Sequence, residues 1–276
     1  MIHKRVVTSM RYVPNLTLLD SWSDVKQHLY SPASAVFEFD NKKLIYCGTK
    51  HSADKSFQLL DKCFSDFDID CVVTEYSRKA TLTPNAGKIE TKNELEYAAL
   101  VGMRAGIDVV FADTDKTDWI ADLIALSPDY AHKMQTFFML NDAYLYKKTF
   151  NENFSINRAI KNVTHKFWND DFPKPMNEPE FKKYFLQNFG LEITDDNISD
   201  MLIKHPNWNE PNKQGNLINK VHADINLYSR DPYMIKCIFH AVNTHKCVLA
   251  AFGAGHFDDA RRVLEHAFGT PKITHH

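Results

Sequence analysis

Short apolar runs alternate with amphipathic segments in the first third of the chain. Ala35–Phe39 and Lys43–Gly48 are each typical of a strand, and Asp40–Asn41 between them is typical of a hairpin turn. From Asp54 onward apolar residues recur at helical spacing, and Asp70–Glu75 follows as a short apolar strand. This pattern predicts a hairpin, then a helix, then a further strand.

A second helix and strand follow a loop rich in Thr, Pro, Asn and Gly. Thr91 is followed three residues later by Glu94, which predicts a capping box at the start of the helix, and Gly106 is predicted to end it. Ile107–Ala112 is predicted as the next strand. Alternation of this kind predicts an α/β fold with a largely parallel sheet. Ligand sites in such sheets lie beyond the carboxyl ends of the strands.

The pattern changes between about residues 118 and 226. Ala131–Phe150 and Phe181–Phe189 are typical of helices, no strand is predicted, and prolines interrupt the polar loops. We therefore predict a helical insertion over residues 118–226 within a single α/β domain that spans residues 1–276. The insertion is predicted to lie over the active edge of the sheet and to act as a lid.

The α/β pattern resumes after the insertion. Asp231 begins a predicted helix that extends to about Thr244, Cys247–Phe252 is the next apolar strand, and Phe257 begins a further helix with one apolar face. Strands from both parts of the chain therefore contribute to the same predicted sheet. We predict a central, largely parallel sheet built from the βα units on either side of the insertion.

Two similar loops follow predicted strands on either side of the insertion. The loops contain Gly48-Thr-Lys-His51 and Gly253-Ala-Gly-His256, and a leucine stands four residues before the glycine in both. Glycine lets the backbone turn sharply at the end of a strand. The histidine three residues later then lies near the first turn of the next helix, at the crevice above a parallel sheet. The repeat therefore predicts two imidazoles that point into one space.

The paired motifs resemble those of the TraB/PrgY, Tiki, erythromycin-esterase and ChaN-like superfamily. Members of this superfamily carry Gly-x-x-His at the start and the end of an α/β core, with acidic residues between the two motifs and an arginine before the second. Glu75 at the end of a strand, the segment Glu94–Asp113 and Arg230 match these further features. The resemblance covers about residues 43–113 and 229–268 and leaves the insertion unmatched. It implies an α/β core with one polar, hydrolytic site.

The predicted metal ligands combine histidine and carboxylate side chains. They are His51, Glu75, Asp113 and His256. Two imidazoles with one or two carboxylates suit Zn²⁺, Mn²⁺ or Co²⁺ and leave coordination positions for water. A divalent metal of this kind lowers the pKa of bound water and supplies a hydroxide nucleophile at neutral pH. A divalent metal is therefore the predicted cofactor, with haem as the alternative.

The predicted catalytic residues overlap with these ligands. They are His51, Glu75, Glu94, Arg230 and His256. Glu94 is interpreted as a general base or as the group that orients a histidine, although its capping position also accounts for it. Arg230 is predicted to stabilise developing negative charge or to bind an anionic substrate group, whereas Asp231 is interpreted only as a favourable start of a helix. A mechanism without metal, in which a histidine takes a proton from water, stays open.

The predicted function is hydrolysis of a peptide, ester or lactone bond in a peptide or small-molecule substrate. The chain has no Gly-x-Ser-x-Gly motif, which favours water over a serine as the nucleophile. Two alternatives stay open. One is a non-catalytic protein that binds haem or a metal, as the ChaN-like branch implies, and the other is a regulatory protein that retains the site.

Charge and composition narrow the predicted partners and location. The 33 Lys and Arg residues against 35 Asp and Glu residues provide no basic field that would attract nucleic acid. No apolar run reaches membrane-spanning length, and Met1–Tyr30 lacks the apolar stretch of a signal peptide. The five cysteines are odd in number and mostly lie in apolar runs, which predicts buried thiols. A cytoplasmic protein is therefore predicted.

Overall fold

A computed structural model describes residues 11–21, 32–50, 54–77, 82, 89, 91, 93–205, 208 and 217–276. The chain divides into two compact units. The first comprises Met1–Asp20, Val25–Thr114 and Arg230–His276, and the second comprises Ser21–Asp24 and Asp115–Ser229. The predicted insertion, residues 118–226, falls inside the second unit.

The first unit contains a mixed six-stranded sheet. Its strands are β1 (Ala33–Phe39), β2 (Lys42–Thr49), β3 (Cys71–Ser77), β4 (Asp108–Asp113), β5 (Cys247–Gly253) and β6 (Lys272–His275). Their order in the sheet is β4-β3-β5-β2-β1-β6. The four strands from β4 to β2 are parallel to one another, and β1 is antiparallel to both of its neighbours. The predicted α/β fold with a largely parallel sheet is confirmed.

The described residues of the chain contain ten α-helices. They are α1 (Asp54–Asp66), α2 (Glu94–Arg104), α3 (Lys116–Leu126), α4 (Tyr130–Phe150), α5 (Ile156–Phe167), α6 (Glu178–Phe189), α7 (Met201–Lys204), α8 (Leu217–Ile225), α9 (Asp231–Thr244) and α10 (Ala254–Phe268). Short 3₁₀ turns cover Leu16–Leu18 and Ile198–Asp200, and a π-helical turn covers Asn226–Arg230. Within the described part of the chain, no helix has both the length and the apolar character that crossing a membrane requires.

The β1–β2 hairpin forms as predicted. Asp40 and Asn41 have φ angles of 48° and 60°, so both occupy the left-handed region. Two consecutive left-handed residues define the turn that matches the twist of antiparallel strands, and Asp and Asn tolerate this conformation well. The turn sets the register in which Phe39 faces Lys42.

Alternate residues of the central strands pack on opposite faces of the sheet. On β2, Leu44 and Tyr46 belong to the core formed with α9 and α10, whereas Ile45 and Cys47 belong to the core formed with α1 and α2. Successive side chains of a strand point to opposite faces, so a strand covered on both sides must be apolar throughout. This explains why the middle of β2 and nearly all of β5 are continuous apolar runs in the sequence.

The second unit is helical and has its own core. Apolar side chains of α3 to α8 form one buried cluster, in which α4 contacts α3, α5 and α8. Gln135 is fully buried and exchanges hydrogen bonds with the backbone of Met176 at 2.9 and 2.7 Å. The helices predicted over Ala131–Phe150 and Phe181–Phe189 are confirmed, and the described residues of this unit include no strand. Its role as a lid stays a prediction.

The predicted start of α2 is wrong. Its N-cap is Asn93, whose side chain accepts hydrogen bonds from the backbone N–H groups of Leu95 and Glu96 at 2.9 and 3.2 Å. Thr91 instead hydrogen-bonds with its hydroxyl to the side chain of Glu96 at 2.7 Å. Asparagine is among the strongest N-cap residues, so the helix begins after Asn93 rather than after Thr91. Glu94 is therefore the first helical residue and has no capping role.

Two further elements differ from the predicted pattern. The helix predicted from Phe257 begins at Ala254, so His256 lies inside its first turn. The strand Lys272–His275 was not predicted, because Ile273 is its only strongly apolar residue. It forms by pairing with the free edge of β1.

Candidate active site

The carboxyl ends of three adjacent parallel strands carry residues of the predicted site, two of which are acidic. Glu75 lies near the end of β3, Asp113 is the last residue of β4, and Gly253 is the last residue of β5. The register of β3 against β4 shifts between Thr74 and Ser77, the interval that contains Glu75. Such irregularities re-aim a side chain at the end of a strand. The fold therefore places Glu75 and Asp113 at one edge of the sheet.

Glu75 is buried and accepts hydrogen bonds on both carboxylate oxygens. Its Oε1 accepts from Nη2 of Arg230 at 2.5 Å and lies 3.4 Å from Nε2 of His256. Its Oε2 accepts from the backbone N–H of Gly253 at 2.7 Å. Burial disfavours the charged carboxylate, but attraction from His256 and Arg230 outweighs burial and holds the pKa of Glu75 well below its usual range. Glu75 is therefore an anion at neutral pH.

Arg230 joins the two strand-end carboxylates. Its Nε and Nη2 donate to Oδ1 and Oδ2 of Asp113 at 3.0 and 3.1 Å, in addition to the bond to Glu75. A planar guanidinium suits this two-pronged contact. Burial opposes its charge, yet Glu75 and Asp113 raise the pKa of Arg230 above its ordinary value. The arginine thus positions both carboxylates.

The π-helical turn Asn226–Arg230 leads directly into α9, whose first residue is Asp231. Two consecutive residues, Arg230 and Asp231, contact the site. Short π-helical segments are rare and are often found at functional sites. This local structure supplies one cation and one anion from adjacent positions.

His256 lies between two carboxylates. Its Nδ1 is 2.6 Å from Oδ1 of Asp231, and its Nε2 is 3.4 Å from Oε1 of Glu75. Burial favours the neutral ring, but Glu75 and Asp231 outweigh burial and raise the pKa of His256 to about 10. Both ring nitrogens then carry a proton, and His256 is an imidazolium ion at neutral pH.

Asp231 is a site residue that sequence reasoning missed. An acidic residue in the first turn of a helix is common because it interacts favourably with the helix dipole, and this reading accounts for Asp231 without any function. The structure instead buries the residue to 1 % exposure and places it against His256. The one available signal was its position next to Arg230.

Glu94 is buried at the start of α2, and a strand-end residue contacts it. The Thr49 hydroxyl lies 3.1 Å from Oε1 of Glu94 and 3.2 Å from the carbonyl oxygen of Phe252. Thr49 is the last residue of β2. The exposed fraction of Glu94 is 1 %. Because Glu94 has no capping role, capping does not account for a buried carboxylate at this position.

The second predicted imidazole lies outside the described residues, which omit 51–53. His51 therefore stays a prediction both as a catalytic residue and as a metal ligand. The convergence of the two Gly-x-x-His loops also stays a prediction. Thr49, two residues before His51, shows that β2 ends at the same edge as β5, since Thr49 pairs with Gly253.

Two described members of the predicted metal-ligand set are ion-paired with Arg230. The guanidinium of Arg230 donates hydrogen bonds to Glu75 and to Asp113. Both ring nitrogens of His256 face carboxylates. Among the described residues no group of three or more His, Cys, Asp or Glu side chains is arranged to hold a metal ion. The described donors do not form a metal site by themselves, and the full set stays a prediction.

Comparisons with protein-family models, curated proteins and solved structures yield no match for this chain. The resemblance to the TraB/PrgY, Tiki, erythromycin-esterase and ChaN-like superfamily therefore stays a prediction from sequence motifs.

Proposed function

We propose that the chain is a hydrolase that directs a water molecule at the carbonyl carbon of a peptide, ester or lactone substrate. One observation carries the proposal. The side chains of Asp113, Arg230, Glu75, His256 and Asp231 form one continuous, largely buried chain of hydrogen bonds and ion pairs at the strand ends. Buried charges are costly even when paired, and strongly perturbed charged groups concentrate at functional sites.

In this proposal His256 is the acid rather than the base. An imidazolium with a pKa of about 10 holds its proton at neutral pH and cannot accept one from water. Its two contacts are unequal, since Nδ1 lies 2.6 Å from Asp231 whereas Nε2 lies 3.4 Å from Glu75. The looser Nε2–H is the group that would donate to the carbonyl oxygen or to the leaving group of the substrate.

Glu94 is the proposed general base. It is a buried carboxylate at the start of α2, it is contacted by the hydroxyl of Thr49 at the end of β2, and it has no capping role. A carboxylate in this position would take the proton from the attacking water. Glu75 and Asp231 keep His256 charged, Arg230 orients Glu75, and Asp113 fixes Arg230. We also propose a cytoplasmic location and a small-molecule or peptide substrate.

A panel of chromogenic esters, lactones and fluorogenic peptides tests this function. His256→Gln and Glu94→Gln are expected to lower kcat/KM by at least about 100-fold, the size typical of losing an acid or a base. His240→Gln is the matched control, because His240 is an exposed histidine on α9. Equal turnover in His256→Gln and the parent chain would overturn the assignment.

The same assay tests the predicted cofactor. The chain is treated with a chelator, and Mn²⁺, Co²⁺ or Zn²⁺ is then restored. Activity that is lost with the chelator and regained with one ion would support the predicted divalent metal. Undiminished activity after metal removal would support the acid and base roles of His256 and Glu94 without a metal.

A further inference from the structure

Asp259 is a buried carboxyl that the proposed chemistry does not use. The residue is 1 % exposed, and no donor among the described residues hydrogen-bonds to either of its carboxyl oxygens. Oδ2 of Asp231 lacks such a donor as well, although Oδ1 of the same residue contacts His256. Unsatisfied buried oxygens are rare in folded proteins and require an explanation.

The two unsatisfied carboxyls lie together. Asp259 and Asp231 are within hydrogen-bonding reach of each other. Two carboxylate oxygens repel unless a proton lies between them, and a shared proton satisfies both. Oδ1 of Asp231 already faces the imidazolium of His256, so Asp259 is the member that carries the proton. Burial and the neighbouring Asp231 raise the pKa of Asp259 accordingly.

Burial of Asp259 favours its neutral form. A small cavity adjoins Asp231 and His256, and most of the side chains that line it are apolar, among them Ile235, Phe252 and Ala260. In such a setting an additional ionised carboxylate would be strongly destabilised. A carboxylic acid, in contrast, can donate a hydrogen bond.

We propose that Asp259 is a positioning residue that donates a hydrogen bond to Oδ2 of Asp231 and so holds Oδ1 of Asp231 against Nδ1–H of His256. Helix spacing allows this arrangement. His256 and Asp259 are three residues apart on α10 and therefore lie on the same face, where α9 presents Asp231 to both. Asp259 and Asp231 together then fix the orientation of the His256 imidazolium from its Nδ1 side.

The spacing also distinguishes the two histidine loops. Both loops extend to Gly-x-x-His-x-x-Asp, with Asp54 in the first and Asp259 in the second. Asp54 is exposed at the start of α1, whereas Asp259 is buried. The motif alone therefore does not create the positioning role, which depends on burial against Asp231. Asp54→Asn is accordingly a matched control.

The role in catalysis rests on the proposed function, but the hydrogen-bond chain is testable without a substrate. A strongly hydrogen-bonded imidazole N–H gives a proton NMR resonance far downfield of the amide envelope. We expect such a resonance in the parent chain, and its loss in His256→Gln assigns it to His256. Asp54→Asn should leave it in place.

Two substitutions of Asp259 test whether its side chain acts as a hydrogen-bond donor. Asp259→Asn keeps the size and a donating N–H, and it is expected to retain the resonance. Asp259→Leu removes the donor and is expected to shift or broaden the resonance. Loss of the resonance in a folded Asp259→Asn chain, or an unchanged resonance in Asp259→Leu, would overturn the proposal. Circular dichroism establishes folding, and the asparagine variant decides the matter if the leucine variant unfolds.

Failure of this inference and failure of the proposed function give different results. If an ester, lactone or peptide is hydrolysed, Asp259→Leu should lower kcat by roughly 10- to 100-fold at nearly constant KM, the range typical of lost positioning contacts, and Asp259→Asn should restore it. If the resonance is retained in Asp259→Asn and altered in Asp259→Leu, but no substrate is hydrolysed, the proposed hydrolase function is refuted. The proposed hydrogen bond from Asp259 to Asp231 is then still supported. If a substrate is hydrolysed but the imidazole N–H resonance is the same in Asp259→Leu as in the parent chain, the positioning role of Asp259 is refuted and the proposed function is not.

Discussion

Nδ1 of His256 lies 2.6 Å from Oδ1 of Asp231, and this contact joins the first turns of two helices on either side of β5 in the chain. Asp231 is 1 % exposed, so its charge requires a buried partner. His256 requires an anion for the same reason. The pair thus stabilises two charges that neither helix could bury alone.

Replacing Asp231 by asparagine should lower the pKa of His256. The substitution keeps the shape of the side chain but removes one of the two carboxylates that raise this pKa to about 10. We expect the pKa of His256 to lie below its value in the parent chain, because Glu75 is then the one carboxylate of the two that still opposes burial. The ring-proton shifts of His256, followed by NMR as a function of pH, measure the change.

A surface pair provides the control for this experiment. Asp108 contacts His245 at 3.0 Å, and the Asp108 side chain is 77 % exposed. Asp108→Asn should leave the titration of His256 unchanged. An unaltered pKa of His256 in folded Asp231→Asn would show that Asp231 is not its main electrostatic partner.

The stability of the chain should fall at alkaline pH through His256. The pKa of this residue is about 10 in the folded chain, above the ordinary histidine value of about 6.5. A raised pKa contributes stability that is fully present below about pH 6.5 and is lost as pH rises through about 10. Between pH 7 and 9, His256→Gln should therefore reduce the pH dependence of the unfolding free energy by about 1.4 kcal/mol per pH unit.

Urea unfolding at several pH values measures this slope. Asp259 also makes the unfolding free energy fall as pH rises, because its pKa of about 10 in the folded chain exceeds its ordinary value. Some pH dependence of the unfolding free energy should therefore persist in His256→Gln. His240→Gln, an exposed change on the same unit, should follow the parent chain. Equal slopes in the parent chain and in His256→Gln would contradict a charged His256 in the folded state.

Local patterns predicted most of the sheet, because its central strands are buried on both faces and are therefore continuous apolar runs. Cys247–Phe252 was predicted from such a run and forms β5 almost unchanged. Lys272–His275 could not be found in this way, since its strand structure depends on pairing with β1 rather than on its own composition. Local propensity also failed at α2, where Asn93 competes with Thr91 for the N-cap.

The candidate site was predictable only in part for a similar reason. Glu75 and Asp113 follow from the rule that strand ends carry ligand sites. The contact of Asp231 with His256 joins residues 25 positions apart, and no local pattern encodes it. The role of Asp259 depends on burial beside Asp231, whereas Asp54 at the same motif position is exposed.

Arg230→Lys should destabilise the chain even though the charge is kept. A lysine provides one compact ammonium group and cannot donate to both oxygens of Asp113 while contacting Glu75. The buried carboxylate of Glu75 and the partly exposed carboxylate of Asp113 would lose hydrogen bonds, and the unfolding free energy should fall by about 2–4 kcal/mol. Arg262→Lys is the control, because Arg262 forms a 2.8 Å surface pair with Asp20 and its side chain is 59 % exposed. If Arg230→Lys and Arg262→Lys lose the same amount of unfolding free energy, the contacts of Arg230 with Glu75 and Asp113 do not stabilise the chain as proposed.

Lys42 should stabilise the end of α9 from a distant strand. Its Nζ donates to the carbonyl oxygens of Val242, Asn243 and His245 at 2.6, 3.3 and 2.9 Å. A cation at the carboxyl end of a helix satisfies otherwise unpaired carbonyls and interacts favourably with the helix dipole. Lys42→Met keeps the aliphatic stem and removes the charge, so the unfolding free energy should fall by about 1–2 kcal/mol.

The neighbouring lysine isolates this effect. Lys43 is ion-paired with Glu38 at 2.8 Å, and both side chains are exposed to solvent. Lys43→Met should therefore change the unfolding free energy much less than Lys42→Met does. Hydrogen exchange of the last amides of α9 gives a second readout, since their protection should decrease in Lys42→Met and not in Lys43→Met. Unchanged protection in both variants would show that the end of α9 does not depend on Lys42.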